Sequence, residues 1–299
     1  MNINDRTAPE QSFEHQKLLS ILTKLSSSIF LSESENRWLQ TYQGYQSNSF
    51  VNQQQDSIYN QKKQLFASTY RSIFSYCQEI KLHDDSLIKE TLWLFWLPLA
   101  IELASLQQEK KSVLVVGILG GQGTGKTTLT QILRLIWQQL NLSSIAISID
   151  DLYKTYEERQ ALLKIDPRLI WRGPPATHDV ELGLQTIDAL INKEPTVAVP
   201  RFDKSAYQGM GDRTESEVVS PVEIVLLEGW FAGVTPVDLS KFENPPFPIV
   251  TEEDKQFAID NNERLKEYLP LWDRFNYLLV LNPEQYRFFT IISLILVDD

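Results

Sequence analysis

With one cysteine, Cys77, in 299 residues, the chain has no partner for an internal disulfide, which fits a reducing compartment and rules out a thiol-stapled scaffold. Glycine and proline are sparse, at 12 and 14 residues, and 42% of residues are hydrophobic. A fibrous or disordered chain is therefore not expected, and one or two ordinary cores can form. Positive charge is short: 28 Lys and Arg against 39 Asp and Glu give a formal charge of -11. Such a surface repels phosphate backbones and anionic lipids, so neither nucleic acid nor a membrane is expected as a partner. The first sixteen residues lack the cationic start and apolar stretch of a secretory signal, and the expected location is the cytoplasm. The most apolar window, Leu92 to Leu106, contains Pro98 and Glu102 and falls short of the roughly 20 residues of a bilayer-spanning helix. It reads as core.

Two regions are expected, a helical one over 1–110 and an α/β one over 111–299. In the first, Leu18, Ile21, Leu22, Leu25 and Ile29 follow helical spacing, and Ser32 with Glu35 has capping-box form ahead of Trp38, Leu39 and Tyr42. Residues 46–64, rich in Gln, Asn and Ser, read as a loop or a solvated helix. Helical spacing returns at Phe66, Thr69, Tyr70, Ile73, Phe74 and Cys77, which puts the thiol on an apolar face. Beyond residue 110, short β-branched runs at 113–119, 144–150, 197–202, 222–227 and 277–281 alternate with helical stretches. That alternation is the signature of an α/β fold with a mainly parallel sheet.

Directly after the first run stand Gly120, Gly121, Gln122, Gly123, Thr124, Gly125, Lys126 and Thr127, a Walker A match. Glycines let successive backbone N–H groups converge on phosphate oxygens, and the positive end of the next helix faces the same anion. Lys126 is placed to reach the β- and γ-phosphates and Thr127 to ligate Mg2+, with Thr128 counted beside them in the ATP site. Leu129, Ile132, Leu133, Ile136, Trp137 and Leu140 give the following helix an apolar face for the sheet. No Asn-Lys-x-Asp follows a strand; Asn192-Lys193-Glu194-Pro195 lacks the acid that reads guanine.

Two further runs end in acids, at Asp150-Asp151 and at Glu228-Gly229, where ligands of open α/β sheets bind. Glu228 fits a magnesium-holding acid, and Gly229 is expected to leave room for the ligand. Asp150 fits a general base that takes a proton from an acceptor hydroxyl, with Asp151 sharing metal or helix-capping duty. Arg201, Lys204 and Arg213 form a local cationic cluster in an acidic chain, suited to a small anionic acceptor. Trp171 and Tyr207 read as packing or as the wall of a pocket.

The phosphate loop, IDDLY, RGPPATHD, VPRFDKSAYQGMGDR and LLEGW, in this order, resemble the plant-type D-glycerate 3-kinases of the phosphoribulokinase, uridine kinase and pantothenate kinase group of P-loop kinases. The resemblance covers roughly residues 90 to 287. It implies a P-loop NTPase fold with strand order 2-3-1-4-5 and helices on both faces, and transfer of the ATP γ-phosphate to the 3-hydroxyl of D-glycerate. Asp150 falls at the group's base and Glu228 at its Walker B acid. Tyr153, His178, Asp179, Arg201, Lys204 and Arg213 fall in the segments that bind the acceptor.

The group continues through an Arg-bearing lid helix and a final strand, whereas here Arg287 is followed by an apolar run, 288–297, and then Asp298 and Asp299. The run reads as truncated or out of frame. It leaves Arg287 as the last lid-like cation for ATP and a sheet expected to lack its final strand. The alternatives are a P-loop kinase of another small hydroxylated acceptor, or a nucleotide-binding protein without turnover.

Overall fold

The computed structural model describes residues 8–42, 55–285 and 288–296. They divide into two compact units, Met1–Glu109 with Gln131–Leu142, and Lys110–Thr130 with Ser143–Asp299.

The first unit is helical: α1 (Ala8–Ser26), α2 (Glu33–Thr41), α3 (Gln55–Glu79), α4 (Asp85–Thr91) and α5 (Leu97–Lys110), with a π-helical turn, Leu92–Trp96, leading into α5. Leu18, Ile21, Leu22, Leu25, Phe66, Ile73 and Cys77 are buried, as their spacing predicts. Ile29 lies beyond the end of α1 and is exposed. Ser32 and Glu35 form the capping box of α2. Of the weakly patterned run 46–64, residues 46–54 lie outside the described residues, and the rest is α3. Leu92, Trp93, Trp96, Leu97 and Leu103 are core. Among the described residues, no helix is long and apolar enough to cross a membrane.

The second unit is built on β1 (Leu114–Gly120), α6 (Lys126–Gln139), β2 (Ser144–Ser148), α7 (Tyr156–Ile165), α8 (Val180–Ile191), β3 (Val197–Asp203), β4 (Asp212–Val219), β5 (Ile224–Gly229), α9 (Glu252–Arg264), α10 (Leu269–Trp272), β6 (Tyr277–Gln285) and β7 (Phe288–Leu296). Its main sheet runs β2-β5-β1-β6-β7. The first four strands are parallel, in the predicted 2-3-1-4 order, and the fifth place is filled by β7, antiparallel to β6. The rim beyond β6, expected bare, therefore carries the apolar run. Central β5 is buried throughout, as parallel strands covered on both faces are; edge strand β2 alternates, with Ile145 and Ile147 inward. The second half of α6, expected to lie on the sheet, groups with the helical unit, where Trp137 Nε1 donates to the Ala100 carbonyl at 2.9 Å.

The run at 197–202 does not join the main sheet. It forms β3 of a two-stranded antiparallel hairpin with β4. Between Val199 and Arg201 the pairing register shifts, and Pro200, which has no N–H to donate, sits in that irregularity. No sequence signal marks β4: its DRTESEVV pattern is polar and mostly solvent-facing, so no apolar alternation betrays it.

Candidate active site

Strand register fixes the relation between the two acids. Glu228 pairs with Ile118 of β1 on one side and Ser148 of β2 on the other, so Asp150, two residues past Ser148, stands at the neighbouring strand tip. Asp150 lies on a 3-10 turn, Ile149–Leu152, rather than on the strand itself. Ser148 caps that turn by accepting from the Asp150 N–H, while Asp151 Oδ2 accepts from the Ser148 N–H at 3.0 Å. Asp151 thus takes the capping duty that was one of its two expected roles.

The loop between β1 and α6 is shaped by Gly123 and Gly125, both at φ 78°, a backbone region costly for other residues. Thr124 Oγ1 donates to the Gly121 carbonyl at 2.8 Å and tightens the turn. Thr127 Oγ1 donates to Glu228 Oε1 at 2.9 Å, and Lys126 Nζ stands 3.9 Å from Glu228 Oε2. Lys126 also donates to the carbonyls of Gly120 and Gly121, at 2.9 and 3.1 Å. The structure thus brings Lys126, Thr127 and Glu228 together at the mouth of the loop. A hydroxyl and a carboxylate are the hard oxygen donors Mg2+ prefers, and in such sites it takes one or two protein ligands beside the phosphates. Gly229 serves differently from expectation: a Cβ there would stand 2.8 Å from Ile149 Cγ2, so the space is taken by that side chain and not by a ligand.

Around Asp150 the acceptor-side residues converge. Lys204 Nζ donates to Asp150 Oδ2 at 2.6 Å. Burial pushes the Asp150 carboxyl up, but the Lys204 ammonium and the Tyr153 hydroxyl outweigh it and leave the pKa below its ordinary value. For Asp151, burial prevails over its bonds to Ser148 and Arg201 and lifts the pKa. Tyr153, itself buried, has its phenol pushed up by burial and by the Asp150 charge.

Residues 152–154 run antiparallel to 177–179. Asp179 N–H donates to the Leu152 carbonyl at 2.7 Å, Lys154 N–H to the Thr177 carbonyl at 3.0 Å, and Lys154 Nζ to the His178 carbonyl at 2.7 Å. This pairing lays the His178 ring face to face with Tyr153, 4.4 Å apart. His178 is 1% exposed, and burial lowers its pKa to about 3, so the imidazole is neutral at pH 7. Asp179 caps α8 through the Leu182 N–H, and its second oxygen accepts from Arg213 at 2.7 Å. It is therefore both a helix cap and half of an ion pair.

The cationic cluster is not a free patch; each cation faces a carboxylate. Arg201 spans Asp151 (2.9 Å), Glu217 (2.6 Å) and the Ala146 carbonyl (3.1 Å), which ties the hairpin to β2. Arg213 joins Asp179 to the Tyr153 carbonyl. Lys204, with a 59% exposed side chain, is held through Asp150. Trp171 is 71% exposed and so is not packing; Tyr207 stacks on Tyr156 at 4.1 Å. Arg287 lies outside the described residues. Two participants carry no signal in the sequence. Tyr268 Oη meets His178 Nδ1 at 2.9 Å from 90 residues away, inside an apolar run that carries no motif. Glu217 lies on the polar strand that gave no signal.

No family model matches the chain. It is 37% identical over 172 residues to a chloroplastic D-glycerate 3-kinase of Arabidopsis thaliana, an overlap covering 54% of this chain and 36% of that protein. It is also 37% identical over 147 residues to a probable ATP-dependent kinase of Saccharomyces cerevisiae, covering 45% of this chain and 50% of the relative. The chain therefore spans between about a third and a half of the length of these two relatives. Among solved structures, a D-glycerate 3-kinase from Cryptococcus neoformans superposes with a TM-score of 0.57 at 25% identity, covering 64% of this chain and 73% of that one. The parallel sheet with its flanking helices has the fold of the P-loop kinases.

Proposed function

We propose that this chain transfers the γ-phosphate of ATP to the 3-hydroxyl of D-glycerate, giving 3-phosphoglycerate and ADP. The observation that carries the reading is the pairing of two differently equipped strand tips: Glu228 bonded to the phosphate-loop Thr127 beside Lys126, and Asp150 at the adjacent tip among acceptor-side cations. Likeness to D-glycerate 3-kinases of two organisms supports glycerate as the acceptor.

Gly120 to Thr128 bind the triphosphate, with backbone N–H groups and the α6 N-terminus facing its charge. Thr127 and Glu228 hold Mg2+, whose chemistry when bound is to neutralise charge on the β- and γ-oxygens. Lys126 exchanges its loop carbonyls for phosphate oxygens. Lys204 and Arg213 hold the glycerate carboxylate, while Arg201, already bonded to three acceptors, positions Asp151 and the hairpin. Asp150 takes the 3-hydroxyl proton as the bond from that oxygen to phosphorus forms and the bond from phosphorus to the β,γ-bridging oxygen breaks. Its depressed pKa makes it fully ionised but a weak base; passing Lys204 to the substrate carboxylate raises the pKa when the proton must be accepted. The test is ADP release with Mg·ATP and D-glycerate, with the product read by 31P NMR. Formation of 3-phosphoglycerate supports the reading; ADP release indifferent to D-glycerate rejects it.

A further inference from the structure

Resting on the acceptor-site reading above, we propose that Tyr268 is a positioning residue whose hydroxyl holds buried His178 in its Nε2–H form, so that the imidazole meets the acceptor as a hydrogen-bond donor. Tyr268 is fully buried, and its Oη has one proton to give. The Ala176 N–H points at that oxygen at 3.2 Å, and His178 Nδ1 lies 2.9 Å from it. An N–H can only donate, so Oη accepts from Ala176. Were Nδ1 also protonated, two donors would face Oη and the buried phenol proton would be left without an acceptor, which costs the full desolvation of that group. Placing the phenol proton on the bond to Nδ1 satisfies all three groups and puts the ring proton on Nε2. The same burial that keeps the ring neutral denies it a second proton.

Nε2 is a buried side-chain nitrogen with no hydrogen-bond partner. A native group left in that condition calls for an explanation, and an oxygen of the bound acceptor supplies one. The ring is stacked on Tyr153, whose hydroxyl bonds Asp150, so the unpaired donor belongs to the assembly that surrounds the base. A hydroxyl or carboxylate oxygen of a small hydroxy acid is the chemistry it fits. Because Tyr268 reaches His178 from just ahead of α10, and Ala176 from the loop before α8, the tautomer is fixed by two segments outside the phosphate loop.

With three histidines in the chain, 15N-histidine labelling of the full protein resolves each ring, and His178→Gln assigns its signals. The expected pattern is a neutral Nε2–H imidazole that does not titrate between pH 5 and 8; an Nδ1–H pattern, or titration in that range, overturns the proposal. Tyr268→Phe keeps the ring and removes the hydroxyl. It should raise the acceptor KM about five- to tenfold, the loss of one hydrogen bond, with the ATP KM unchanged. In the His178→Gln background, where the amide keeps a donor near the Nε2 position without tautomer control, Tyr268→Phe should add nothing further. An equal rise in both backgrounds would mark Tyr268 as structural only and refute the positioning role. An Nε2–H signal in a chain that does not phosphorylate D-glycerate supports the tautomer assignment and removes only the glycerate reading.

Discussion

Asp150 must be charged to accept a proton, yet held apart from a cation to keep it. Its pairing with Lys204 sets that tension. Because the folded pKa lies below the ordinary 3.8, the pairing favours the folded state above that value and is lost as pH falls through the lower, folded one. The acid limb of kcat/KM, which reports the free enzyme, should accordingly lie below the ordinary carboxylate range. In Lys204→Met, burial acts less opposed and the limb should move to higher pH, as a pH series of initial rates will show. Asp150→Asn should lower kcat by about 10²–10⁴ while leaving ATP binding by calorimetry intact; turnover surviving that change would remove Asp150 as the base. The types and order of Asp150, Lys126, Thr127 and Glu228 were legible in the sequence because a phosphate loop and acids after apolar runs have fixed chemical meaning. The partner of each cation was not, since ion pairs such as Arg201 with Glu217 depend on a hairpin whose second strand is polar.

The hairpin of β3 and β4 is the element that carries the acceptor side to Asp150. Its turn depends on Gly211, at φ 73°, where a Cβ would collide with the Phe202 ring, while the Gly211 carbonyl accepts from buried Arg159. Gly211→Ala should destabilise the chain by about 1–3 kcal/mol and raise the acceptor KM more than the ATP KM, checked by thermal unfolding and steady-state kinetics. Arg201→Ala should cost about 1–2 kcal/mol, because partly buried Asp151 loses its cation. The parallel strands were readable as continuous apolar runs. That the run at 197–202 leaves the main sheet was not, because a strand's own pattern does not name its partner and β4 offered no alternation to pair with it.

At the scale of the molecule, the sequence offers a change from helical to β-branched spacing near residue 110. The grouping of 131–142 with the helices of the first unit is a matter of tertiary packing that an amphipathic helix leaves open. Cys77 offers a probe of the helical unit by itself. It is fully buried and burial pushes its thiol up to about 11, so Ellman's reagent should modify the native chain at least a thousandfold more slowly than the denatured chain, the rate reporting local opening. The proposed phosphoryl transfer depends on the meeting of the Lys126 loop with the Asp150 tip. It is tested most directly by following ADP and 3-phosphoglycerate together in the unmodified chain and in Lys126→Ala. Equal amounts of both, dependent on D-glycerate and Mg2+ and lost in the variant, are the predicted result; a folded chain that binds Mg·ATP but yields no 3-phosphoglycerate would contradict it.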